Sequence, residues 1–62
     1  MVMGCKLEMT WYRIVLSYAV FSIIAKNNIV VDAAPIGRWM ISKTIDDITT
    51  WVRKKSGSIE KL

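Results

Sequence analysis

The stretch Trp11 to Ala25, WYRIVLSYAVFSIIA, constrains the fold more than any other part of the chain. From Ile14 onward it carries no charge for twelve residues, and only Ser17 and Ser22 are strongly polar. On a helical wheel its apolar side chains point in every direction, the pattern of a helix buried on all sides by lipid or by protein. A bilayer span takes about 20 mostly apolar residues. The uncharged run is shorter than that, but extended back to Leu7 it makes a helix of roughly 28 Å, close to the thickness of a bilayer. Glu8 and Arg13 then lie near one end. Arg13 and Lys26 can snorkel toward headgroups, and Trp11 with Tyr12 suits an interfacial aromatic belt. The stretch therefore reads as a single transmembrane helix over 11–25, starting as early as 7. A helix buried inside a soluble or virion assembly is the alternative. A cleaved signal peptide comes third, because Ile23 and Ala25 make a poor small-x-small cleavage site.

The rest of the chain is polar and basic. Sixty-two residues allow one domain at most, and what remains beside the apolar stretch is too small for an ordinary independent core. Hydrophobic residues make up 53% and mean hydropathy is +0.34, yet 23% of residues are charged. That combination describes a two-part chain needing a membrane, a partner or both. A net charge of +4 and an isoelectric point near 9.6 favour an anionic neighbour. A single cysteine, Cys5, excludes an internal disulfide, and the absence of histidine excludes a Cys/His metal cluster.

Taken in order, residues 1–10 form a lead and 11–25 the apolar helix. Residues 26–43 read as an extended linker with a Pro/Gly turn, 44–56 as an amphipathic helix and 57–62 as a tail. Asn27-Asn28 should end the first helix, since asparagine accepts the left-handed conformation. Ile29-Val30-Val31 is a brief strand or extended chain. Pro35 and Gly37 mark a helix boundary. Thr44 is an N-cap with Asp47 three residues on, Asp46 and Asp47 face the positive end of the dipole, and Arg53 to Lys55 face the negative end. Gly57 reads as the stop. The tail either trails or pairs with Ile29–Val31 in a minimal β-α-β unit. The expected fold is mainly α, an apolar transmembrane helix followed by a Pro/Gly break and a short capped helix.

No catalytic motif is present. Asp46 and Asp47 diverge by about 100° on a helix and are accounted for by capping. Ser42-Lys43 lacks an elbow or a glycine-rich surround. No phosphate-loop, dinucleotide or metal pattern occurs, so the sequence implies no enzyme, no cofactor and no small-molecule substrate. The candidate functional residues are instead a docking stripe, Ile41, Ile45, Ile48 and Val52 flanked by Trp39 and Trp51. A set of cations, Arg38, Lys43, Arg53, Lys54 and Lys55, is a candidate for lipid headgroups or another anionic partner. The positive-inside rule then puts the carboxyl-terminal tail in the cytoplasm, since seven cations follow Ala25 and two precede Ile14. The function expected is a small single-pass membrane protein serving as a structural or accessory subunit of a larger assembly. A virion structural protein with its basic tail toward genome or capsid comes next, and a small soluble nucleic-acid-binding protein third. The layout loosely resembles filamentous-virus coat proteins and the one-helix subunits of respiratory and photosynthetic complexes. No motif matches either residue by residue, and the Pro35–Gly37 break departs from the continuous helix of a filamentous coat protein.

Overall fold

A computed structural model describes residues 9–62. Cys5 and the proposed helix start at Leu7 lie outside the described residues. Trp11 to Ala25 is not a helix: it folds back on itself at Ser17-Tyr18 into two eight-residue strands, β1 (Met9–Leu16) and β2 (Ala19–Lys26). They pair antiparallel in unbroken register from Met9↔Lys26 to Leu16↔Ala19. The residues suit this, for β1 carries Thr10, Trp11, Tyr12, Ile14 and Val15 and β2 carries Val20, Phe21, Ile23 and Ile24, the β-branched and aromatic types that fit a pleated surface. A third strand, β3 (Ile29–Ala33), pairs with β2 across a bulge between Ile24 and Ala25.

Asn27 and Asn28 both have positive φ, 55° and 67°. Two left-handed residues in a row are the conformation of a two-residue type I′ hairpin, whose twist matches that of the strands. They turn a strand rather than end a helix.

A 3₁₀ segment (Pro35–Met40) and the helix α1 (Ile45–Lys54) follow, and the chain closes with β4 (Ser58–Lys61). β4 runs antiparallel beside β1, not beside Ile29–Val31, so the sheet order is β3-β2-β1-β4 and the β-α-β alternative is not what forms. The outer edge of β3 is covered by the 42–45 segment. There the Val30 amide donates to the Lys43 carbonyl at 2.9 Å, and the Ser42 amide to the Val30 carbonyl at 2.8 Å.

Alternation sets the core. Ile14 and Leu16 of β1, Phe21 and Ile23 of β2 and Val30 of β3 point to one face, where they meet Met40 of the 3₁₀ segment and Ile48 and Val52 of α1. Ile14, Ile23, Met40 and Val52 are wholly inaccessible. The fold is therefore an antiparallel sheet with its helical elements on one side, and the expectation of a mainly α chain is overturned. Among the described residues no helix is long and apolar enough to cross a membrane. The single-pass span goes with it, as do the placement in a membrane and the cytoplasmic tail, whose orientation needed a span to be defined.

Helix α1 is held by local signals at both ends. Thr44 is extended (φ −83°, ψ 157°), and its hydroxyl oxygen accepts from the Asp47 amide at 3.1 Å. Asp46 and Asp47 occupy the first turn, Arg53 and Lys54 the last, each favourable to the helix dipole. Thr44→Ala removes the cap and is expected to lower stability by about 1 kcal/mol, read as an earlier midpoint in urea unfolding with an unchanged slope.

Candidate functional site

The helical side of the sheet is filled by the core, and the opposite face is the open one. Strand register places Met9, Trp11, Arg13 and Val15 of β1 on that face beside Lys26, Ile24, Ser22 and Val20 of β2. Asp32 of β3 lies next to Ile24, and Glu60 of β4 next to Arg13. Among the described residues no other element packs over this face. Met9, Trp11 and Val20 are 51%, 53% and 64% exposed.

An antiparallel sheet with one solvated face normally presents polar residues there. Here two of the rows that cross the central strands are apolar, Trp11 with Ile24 and Val15 with Val20, and between them lies a polar row of Ser22, Arg13 and Glu60. Arg13 Nη1 and Glu60 Oε2 are 3.6 Å apart, with both side chains about half exposed. A pair so open to water contributes little to stability. Its effect is to lean the guanidinium outward, toward β4.

Beside Trp11 the face dips into a hollow of about 250 Å³ lined by Trp11, Ser22, Ile24, Asp32, Ala33 and Ala34. It lies below the ~300–1,000 Å³ usual for small-molecule sites, and its one carboxylate, Asp32, already accepts from the Ala33 amide at 2.9 Å. Such a hollow takes a side chain more readily than a cofactor. Among the described residues no group of three His, Cys, Asp or Glu is placed to hold a metal ion.

The docking stripe read from the sequence is turned inward. Ile48 and Val52 are buried against the chain's own sheet, and Ile41 and Ile45 pack partly on the same core. The amphipathic face that needed something to dock on docks within the molecule. Trp39 and Trp51 do come together, edge to face with centroids 4.8 Å apart and planes at 66°, and Lys55 Nζ stands 5.8 Å from the Trp51 ring centre. This arrangement ties the 3₁₀ segment to α1 and shields the rim of the core. Arg38, Lys43, Arg53, Lys54 and Lys55 are all exposed on the helical side and its loops.

Sequence reading missed Met9, Trp11, Val15, Val20 and Ile24 as a surface. The signal was period two: counting alternate residues outward from the Asn27-Asn28 turn puts Ile24 and Val20 on one face of β2 and Ile23 and Phe21 on the other. Compared with protein-family models, curated proteins and solved structures, the chain matches none.

Proposed function

We propose that the chain is a small protein-interaction module, a structural or accessory subunit that docks onto protein through the open face of its sheet. The observation that carries this is the uncovered apolar pair of rows, Trp11 with Ile24 and Val15 with Val20. Exposed apolar rows of this kind, here flanking a polar row of Ser22, Arg13 and Glu60, mark interaction sites, and the aromatic Trp11 in one of them has the character of an energetic anchor. Nucleic acid fits the face less well. Bases bind sheets through several stacked aromatics and net positive charge, whereas this face offers one indole and balances Arg13 and Lys26 with Asp32 and Glu60.

A photo-reactive phenylalanine analogue at position 20, on the open face, is expected to form discrete adducts with protein in cells expressing the chain. The same group at position 54, on the exposed side of α1, is expected to form few. Adducts from position 54 with none from position 20 would move the docking surface to the helical side and sink the proposal.

A further inference from the structure

We infer that the occupant of the open face is a second copy of this chain, packed face to face as a two-sheet sandwich; this rests on the reading of that face as the docking surface. The first support is charge. Among the described residues the helical side, the loops and Lys61 carry six cations, Arg38, Lys43, Arg53, Lys54, Lys55 and Lys61, against Asp46 and Asp47. The open face holds two of each sign. Two copies meeting through their helical sides would bring like charge together, and two meeting through their open faces would not.

The second support is pattern. Sheets in a sandwich pack aligned to within about 30°, roughly 10 Å apart. In a two-fold dimer the same patch must complement itself. A two-fold axis running along the strands, between β1 and β2, lays β1 of one copy over β2 of the other and brings each row onto itself. The Trp11–Ile24 row then meets its own apolar equivalent, the Val15–Val20 row does likewise, and the polar row of Ser22 and Arg13 meets a polar row. The two Arg13 guanidiniums do not converge, because each is drawn toward its own Glu60 on β4, which lies away from the axis.

The third support is shape. In this arrangement Trp11 of each copy falls over Ile24 of the other, where the hollow beside Ile24 lies open. The half-exposed indole and the hollow it helps to wall sit on the same face in the same row, so one symmetry operation sets each copy's indole over the other's hollow. The extent suits a weak dimer: strands of 8, 8, 5 and 4 residues, about 4.8 Å apart with a rise of about 3.4 Å per residue, give a face of roughly 400 Å² per copy. The total is below the ~1,000 Å² of tight complexes and in the range of concentration-dependent association.

Sedimentation equilibrium on the purified full chain, from micromolar to millimolar concentration, tests this. The expected result is a dimer mass for the wild type. Val20→Lys and Trp11→Lys are each expected to raise the dimer dissociation constant roughly ten-fold or more, with the far-ultraviolet circular dichroism of the fold retained, and Lys54→Glu is expected to leave it unchanged. A wild type that stays monomeric throughout overturns the inference, as does a dimer that Lys54→Glu weakens and Val20→Lys does not. The crosslinks from position 20 separate the two claims. Adducts of twice the chain mass support both. Adducts with a different polypeptide from a monomeric chain keep the docking face and reject the second copy.

Discussion

Phe21→Ala is expected to remove about 3–5 kcal/mol of stability, a large share of all the fold has, while Val20→Ala, one residue away, is expected to shift stability by no more than about 1 kcal/mol. Phe21 is 8% exposed and lies in the core cluster, its ring closing over buried Gly37. Val20 is 64% exposed. Truncating a buried phenylalanine costs about 3–5 kcal/mol, and a 62-residue fold has only about 3–9 kcal/mol to lose at ~0.05–0.15 per residue. Val20→Ala forfeits some β-propensity on an open face, a fraction of a kcal/mol up to about 1. Circular dichroism during urea unfolding reads both. The comparison also separates strand from helix, since neighbours on a helix buried all round would suffer alike. Equal losses at positions 20 and 21 would be incompatible with the alternation on which the sheet rests.

That alternation is why the fold was hard to read from the sequence. A strand with one polar face announces itself by period two, but β1 and β2 are apolar on both faces over much of their length. Ile14, Phe21 and Ile23 go to the core, and Trp11, Val15, Val20 and Ile24 go to the open face. The summed pattern is a continuous apolar run, which periodicity alone cannot distinguish from a buried helix. The feature that hid the strands is thus the one that makes the candidate surface. Two signals were available against the helix, the density of β-branched and aromatic residues and the Asn27-Asn28 pair. The pair is ambiguous in sequence because the same left-handed geometry serves a helix end and a type I′ turn. Helix α1 was legible because its information is local: Thr44 caps, the first-turn aspartates and last-turn basic residues oppose the dipole, and Ile45, Ile48 and Val52 form one stripe. What lay beneath that stripe was not local. Knowing that it covers the chain's own sheet required knowing that the sheet exists, and so Ile48 and Val52 read as a docking face for a partner.

Gly57→Ala is expected to destabilise the fold by about 1–3 kcal/mol, and its neighbour Ser56→Gly to stabilise it by about 0.5–1 kcal/mol. Glycine after a helix is ordinarily valued for positive φ, yet the residue with positive φ here is Ser56, at 59°. The Ser56 amide donates to the Arg53 carbonyl and the Gly57 amide to the Val52 carbonyl, each at 3.0 Å, the paired bonds of a Schellman ending with serine in the place glycine usually holds. Left-handed backbone costs a non-glycine residue about 1–2 kcal/mol. Glycine at position 56 would relieve most of that, offset in part by its greater freedom in the unfolded chain. Gly57 answers a different need. A Cβ there would stand 2.5 Å from the Val15 carbonyl oxygen and 2.7 Å from Leu16 Cδ2, so the missing side chain is what lets the chain leaving α1 pass close over β1 and enter β4. Since β4 pairs with β1 alone among the described residues, any shift that makes room for a methyl group at position 57 is transmitted to the Ile14↔Ile59 and Arg13↔Glu60 pairings, at an overpacking cost of about 1–3 kcal/mol. Thermal unfolding should show it as a fall of about 4–8 °C per kcal/mol for a chain of this size, with the opposite sign for Ser56→Gly. If the two substitutions exchanged signs, positive φ would belong to position 57 and the close approach over β1 would not exist.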